Sequence, residues 1–539
     1  MLKLQAGMCL GLLGLATAYA QQAGDSAQRC EDLAQVSLPH TTIVQAAVVE
    51  AGKMTSPDTG PESAKDPIYA QLPAMCRVIA EAHPSEDSKI KIEVWLPVAG
   101  WNSRFMGVGN GGFAGNIYYH QLARAVLHGY AVGSTDTGHT GTSIEAAWAL
   151  RHPEKVADFG YRGVHEMSVT GPAIAKAFYG RPAGHRYFDG CSDGGREALM
   201  EAQRFPTDYD GILAGAPAYN WTHLVSSGIH AYHAMMDDPA RYIPPSKLPA
   251  ISSAVLAQCK KDDAGGFLDD PRKCHFNPAA MVCKGKENDR CLTKPQVETL
   301  KALYAGSRTK DGKLVDYGLM PGGELGDNGW GSWVTGSSPS KSLGVAFLQG
   351  YFADMVYSKA DFDVTKLNLD EGLKAAEEHT GTNLDAVNPD LSAFSGHGGK
   401  LILYHGWDDP AIPALGTIDY YTAVVARAGE ANANDFTRLY LVSGMQHCDG
   451  GPGPTTFGQN EPYEDSAIND AEHNIYLALE GWVEKRSPPQ KVITQKLEEH
   501  GGKSTVTESR PLCPYPQAAQ YSGTGDRSSA ASYFCAAAK

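Results

Sequence analysis

The sequence predicts an α/β fold, a doubly wound, mostly parallel sheet interrupted by an inserted lid domain. Three observations predict it. From about Lys89 onward, short strand-like runs alternate with segments of helical spacing, the pattern of a sheet flanked by helices. Between residues 219 and 395 that alternation stops, and Gly, Pro, cysteine and scattered aromatics take over. The length of 539 residues also exceeds what one ordinary core accommodates. Residues 21–218 and 396–539 are therefore read as two parts of one core, and residues 219–395 as the lid.

At the N-terminus, Lys3, an apolar run at residues 8–15 and Ala18-Tyr19-Ala20 before Gln21 read as an export signal over residues 1–20. The run is too short for a permanent membrane anchor. Removing it discards Cys9 and leaves ten of the 11 cysteines, an even set without a C-x-x-C pair. In an exported chain, secreted or periplasmic, that suggests a disulfide framework rather than a zinc site. A hydrophobic fraction of 42% is that of a soluble globular protein, and a formal net charge of −15 argues against nucleic acid or an anionic membrane as partner.

The core elements follow in order. Residues 90–96 alternate as a strand, residues 104–106 lead into a Gly-rich loop, and residues 129–134 form a short buried strand. Residues 165–179 have helical spacing; Tyr187-Phe188 enters a turn, and a second helix runs from about Arg196. Residues 400–405 and 437–442 read as two more buried strands. In the lid, Trp330, Trp333, Phe347, Tyr351 and Phe352 sit among polar residues, and about half of them are expected to form the lid's own core.

Gly190-Cys191-Ser192-Asp193-Gly194-Gly195 satisfies G-x-S-x-G between a strand and a helix, the setting of a nucleophile elbow in an α/β-hydrolase. The sharp turn strains the serine backbone and tolerates only glycine-sized neighbours. It also lifts the hydroxyl to a helix N-terminus, which favours a developing oxyanion. Acyl transfer then needs a base and an acid that orients it, in the order Ser, Asp, His. Asp409 follows the strand at 400–405 and His447 follows the strand at 437–442; Asp408 rivals Asp409. Cys191 and Cys448 flank the two catalytic candidates, so a Ser192–His447 hydrogen bond would bring their Cα atoms within the ~4.4–6.8 Å that a disulfide needs.

These segments resemble the tannase and feruloyl esterase family. The resemblance rests on the elbow with Arg196, on Asp158-Phe159-Gly160-Tyr161-Arg162, and on Gln203-Arg204-Phe205-Pro206 with Tyr209-Asp210-Gly211-Ile212. It continues in Gly215-Ala216-Pro217, Tyr404-His405-Gly406-Trp407 with Asp409, and Gly444-Met445 with His447-Cys448-Asp449-Gly450-Gly451-Pro452-Gly453. It implies secreted α/β-hydrolases with a lid that cleave aromatic carboxylic esters, such as feruloyl or galloyl esters, through Ser192, Asp409 and His447 with Cys191–Cys448 bridged. It further implies bridges Cys30–Cys76, Cys259–Cys274, Cys283–Cys291 and Cys513–Cys535.

The chain also resembles the mono(2-hydroxyethyl) terephthalate hydrolases of this family, particularly in residues 510–516 and the end near Cys535. Those enzymes use a lid Arg on the substrate's free carboxylate, and residues 340–347 hold only Lys341. No cofactor is required. Calcium is the one ion that the resemblance raises; Asp263, Asp269 and Asp270 remain as ligands, but Lys260 and Lys261 in the same loop oppose it.

Gly107-Val108-Gly109-Asn110-Gly111-Gly112 matches the dinucleotide fingerprint, yet a poor helix start follows it. The expected role is an oxyanion loop, with the Gly109 and Asp193 N–H groups as donors. Trp333 and Phe347 are expected to sandwich the aromatic acid of a small ester substrate. A non-catalytic aromatic-binding protein on the same scaffold is the alternative of another class, and a nicotinamide oxidoreductase a distant third.

Overall fold

A computed structural model describes residues 26–55, 57, 66–260, 265–326, 328–459, 470–500 and 503–537. The export signal at residues 1–20 and the calcium candidate Asp263 lie outside them. The chain divides into two compact units.

The first unit contains β1 (Thr41–Val49), β2 (Met75–Ala82), β3 (Ile90–Pro97), β4 (Arg104–Val108) and β5 (Ala131–Thr135), in the order β1-β2-β3-β5-β4. β1/β2, β2/β3 and β3/β5 are antiparallel and β4/β5 is parallel, so this part of the sheet is more mixed than the sequence pattern suggested. β3 is buried everywhere except Lys91 and carries Glu93 inside. A buried carboxylate needs partners. Arg77 supplies a two-pronged pair at 2.9 and 2.7 Å, with the Tyr119 hydroxyl at 2.7 Å and Trp95 Nε1 at 3.1 Å. Helix α1 (Gly163–Tyr179) lies so close to β4 that a Cβ on Gly171 would stand 2.4 Å from the Phe105 ring.

β6 (His185–Cys191), which lies in the second unit from Phe188 onward, β7 (Gly211–Gly215), β8 (Lys400–Gly406) and β9 (Thr437–Val442) are neighbours in that order, and β7/β8 and β8/β9 are parallel. β7 is wholly buried and β8 is buried beyond Lys400, as strands covered on both faces must be. Helix α2 (Asp193–Arg204) follows β6, and the 219–395 stretch is inserted between the paired strands β7 and β8. That insert belongs to the second unit and carries α3 (Trp221–Met236) and α4 (Lys294–Ala305).

Of the five lid aromatics, Trp330, Tyr351 and Phe352 are fully buried core residues. All five disulfides are formed: Cys30–Cys76, Cys191–Cys448, Cys259–Cys274, Cys283–Cys291 and Cys513–Cys535. No helix among the described residues is long and apolar enough to cross a membrane.

Candidate active site

β6 delivers Ser192 to a turn where its φ is 68° and ψ −120°, a strained backbone for a residue with a Cβ. The turn closes because glycines flank it: a Cβ on Gly190 would meet the Gly194 carbonyl oxygen at 2.4 Å. α2 is anchored behind the turn by Arg196, which is fully buried. Its Nε donates to Asp193 at 2.6 Å and Nη2 to the Phe159 carbonyl at 3.1 Å, which explains why the Asp158–Arg162 segment accompanies the elbow.

The loops after β8 and β9 bring the two remaining groups to Ser192. Ser192 Oγ lies 2.9 Å from His447 Nε2, and His447 Nδ1 lies 2.8 Å from Asp409 Oδ2. Asp409 Oδ1 accepts from the N–H groups of Ala411 at 2.8 Å and Ile412 at 2.9 Å. Burial works to raise the Asp409 carboxyl, but the charge of His447 and hydrogen bonds from His405 and His447 outweigh it, and the carboxyl sits well below its ordinary range.

Asp408 is buried the other way. Neither of its carboxylate oxygens has a hydrogen-bond partner among the described residues, and burial followed by the charge of Glu324 raises it well above the usual range. The acid facing His447 is therefore Asp409. Next to these groups, Cys191 and Cys448 have Cα atoms 6.0 Å apart and join positions 257 residues apart. In the chain-entropy picture such a bridge contributes about 5 kcal/mol.

Two expectations need correction. The Gly109 N–H is donated to the Asp189 carbonyl at 2.8 Å and is not available to an oxyanion. The Asn110 N–H is likewise taken, by Glu197 Oε2 at 2.8 Å. Gly112 is the residue of this loop that lines the cavity beside Ser192, and its N–H makes no hydrogen bond among the described residues. Asp193, the first residue of α2, has an N–H without an intrahelical partner. Both residues line the cavity that Ser192 lines. No helix follows the loop until Tyr119, so the dinucleotide geometry is absent.

The second correction concerns the ring sandwich. Trp333 and Phe347 both line the cavity, with rings nearly parallel (12°) and centroids 5.9 Å apart. A third ring between them would need about 7 Å, twice the ~3.5 Å contact distance. They form one wall instead. Trp333 also meets the His447 ring edge-on at 5.0 Å, and Phe113 packs 4.8 Å from Phe347. The cavity holds about 190 Å³ and is otherwise lined mainly by apolar side chains, including Leu224, Val225, Met235 and Leu319.

Calcium fits the described residues poorly. Asp270 is held by the guanidinium of Arg272 at 2.8 Å through both its oxygens, and neither Asp269 nor Asp270 joins a cluster of metal-ligating side chains among the described residues. Sequence reasoning missed His405, whose Nε2 stands 3.2 Å from Asp409 Oδ2 and which is pinned by Thr417 at 2.8 Å and the Ile412 carbonyl at 2.9 Å. Its signals were a place at the end of a buried strand and in the Tyr404-His405-Gly406-Trp407 segment, neither of which gave it a role. Phe113 and Glu197 were missed as well, because neither position has a motif of its own.

Residues 76–536 match the model of the family described as tannase and feruloyl esterase. The chain belongs to this family. It is 39% identical to an uncharacterised esterase of Xanthomonas campestris pv. campestris over 94% of this chain and 91% of that protein. A probable feruloyl esterase B-2 of Aspergillus fumigatus is 31% identical over 86% of each chain. The crystal structure of feruloyl esterase B from Aspergillus oryzae superposes with a TM-score of 0.85 at 28% identity, covering 95% of this chain and all of that one. The tannase and feruloyl esterase fold is thus an α/β fold in this chain too, and its members' chemistry makes the protein a carboxylic ester hydrolase.

Proposed function

We propose that the protein hydrolyses aromatic carboxylic esters through an acyl-enzyme on Ser192. The observation that carries this reading is the unbroken relay from Ser192 Oγ through His447 to Asp409 at the wall of an aromatic cavity. His447 Nε2 takes the hydroxyl proton as Oγ attacks the ester carbonyl, while Asp409 steadies the imidazolium through Nδ1. The N–H groups of Gly112 and Asp193 receive the oxyanion. His447 then returns the proton to the departing alcohol, and the same base activates the water that releases the acid.

Five disulfides fit a protein that folds in an oxidising compartment, so we place it outside the cytosol. The test is Ser192→Ala: turnover of a chromogenic aryl ester is expected to fall by about 10⁶, and labelling by a fluorophosphonate to vanish. Unchanged turnover refutes the assignment. A wild-type chain that neither turns over the ester nor takes the label is a binding protein on this scaffold.

A further inference from the structure

His405, near the end of β8, is fully buried and neither gives nor takes a proton in the acyl transfer. Its ring nevertheless spends both nitrogens on polar groups, one of them the acid of the relay. Nδ1 lies 2.8 Å from the Thr417 hydroxyl on α5 (Ala414–Ala428). Nε2 lies 2.9 Å from the Ile412 carbonyl and 3.2 Å from Asp409 Oδ2. These partners settle where the proton is. A carbonyl only accepts, so Nε2 carries a hydrogen. The Thr417 hydroxyl has no other acceptor among the described residues, so it gives its proton to Nδ1. The ring is a neutral imidazole in one tautomer, and its N–H faces the Ile412 carbonyl and the Asp409 carboxylate together.

A carboxylate has about four acceptor positions, two on each oxygen. In Asp409 the N–H groups of Ala411 and Ile412 fill Oδ1, His447 Nδ1 takes one position of Oδ2, and His405 Nε2 stands beside the other. Surrounded in this way, the carboxylate cannot turn to offer His447 a different oxygen. The support is also electrostatic. The unprotonated Asp409–His447 pair carries one negative charge and the protonated pair carries none, so an N–H beside Oδ2 stabilises the unprotonated pair more. It thereby holds the pair in its working form to lower pH.

We propose that His405 is a positioning residue for acyl transfer: through its Nε2–H it keeps Asp409 Oδ2 turned to His447 and sets the lower pH bound of activity. This rests on the esterase reading above and extends the relay by one side chain. The rival role is local bracing. His405 ties down the Ile412 carbonyl, and Pro410, Ala411, Ile412 and Pro413 form part of the cavity wall. A ring that only braced that wall would act on KM, whereas one that supports Asp409 acts on kcat and on the pH profile.

Two replacements separate the ends of the ring, because an asparagine amide sits near the place of Nδ1 and a glutamine amide near that of Nε2. His405→Asn keeps a partner for Thr417 and loses the reach to Asp409; His405→Gln does the reverse. With a chromogenic aryl ester and the full chain, His405→Asn is expected to lower kcat by about tenfold and leave KM within about twofold. The acid limb of its kcat/KM profile should move up by about half a pH unit or more. His405→Gln should stay within about threefold of wild type in kcat, with the limb in place. Equal losses in both variants with an unmoved limb overturn the proposal, and so does a His405→Asn variant that changes only KM. If His405→Asn does not fold, Thr417→Val takes its place: without the hydroxyl the ring is a weaker donor, and the limb should rise with KM unchanged. A limb that stays put in that variant overturns the proposal too. An active wild type with unmoved variants strikes this inference alone, whereas a wild-type chain that turns over no ester strikes the esterase reading and the proposal with it.

Discussion

At its Ser192 end, the cavity is tied together before any substrate arrives. Asp409 accepts from His447, Ala411 and Ile412, the His447 ring reaches Ser192, and a disulfide joins their neighbours. At the end formed by the 219–395 insert, His230 and Ser307 each keep a buried polar atom without a partner among the described residues. The two ends answer different demands. Groups that move a proton must stand in place to a fraction of an ångström, and their hydrogen bonds are spent internally. Groups that choose a substrate discriminate best when their bonds are completed only by the right one.

The sharpest way to break the comparison lies within the nucleophile end, between two adjacent aspartates. Asp409→Asn is expected to lower kcat by about 10⁴, because an amide no longer holds His447 in the working tautomer. Asp408→Asn should leave kcat within about threefold, since that side chain makes no hydrogen bond to lose among the described residues. Its effect is on stability. The folded chain holds the Asp408 proton where the unfolded chain has already released it, so stability falls as pH rises above about 4, the carboxylate range of the unfolded chain. Asp408→Asn removes that loss. The Tm advantage of the variant should widen between pH 4 and pH 8, and an advantage that does not change with pH refutes the buried-proton account.

The same contrast decides what was legible in the sequence. The elbow, both loop groups and the order of β6, β8 and β9 could be read because strand-to-loop chemistry is local: glycines at fixed offsets, an Asp and a His at strand ends. The family resemblance chose Asp409, but strand-end position alone did not make the choice between Asp408 and Asp409 legible. It depends on which side chain the turn after β8 aims at His447, and the backbone N–H groups of Ala411 and Ile412 settle that aim in space. Gly109 was a reasonable oxyanion donor by position but failed because the Asp189 carbonyl lies within reach of it. β1 and β2 escaped notice: half-exposed residues run through β1, and its pairing with β2 is made across a long connection. The 219–395 insert between β7 and β8 was legible only as a change of composition. His230 on α3 and Ser307 just after α4 line one cavity, for which no local signal exists.

A smaller effect is expected from the disulfide. Replacing both Cys191 and Cys448 by Ala frees the loops that carry Ser192 and His447, and kcat should fall by about tenfold with KM little changed, because alignment rather than binding is loosened. A Tm loss with kcat intact would show that the bridge serves folding alone.

The smallest effect tests the oxyanion loop from behind. Glu197 is buried beneath it, its Oε2 accepting the Asn110 N–H at 2.8 Å. Burial first, then the charge of Asp193, pushes its carboxyl well above the ordinary range despite Arg196 and the Asn110 bond, so the group is neutral at the elbow. A neutral acid and an amide are near-isosteres, and the Oε1 of a glutamine can accept the same N–H. Glu197→Gln should therefore keep kcat within about threefold of the parent. Glu197→Ala, which leaves the Asn110 N–H unsatisfied and the loop unsupported, should lower kcat by about tenfold without raising KM, since oxyanion contacts strengthen only in the transition state. A glutamine variant as damaged as the alanine one would mean that the buried group carries a charge, and that the loop is held by electrostatics rather than by a single neutral hydrogen bond.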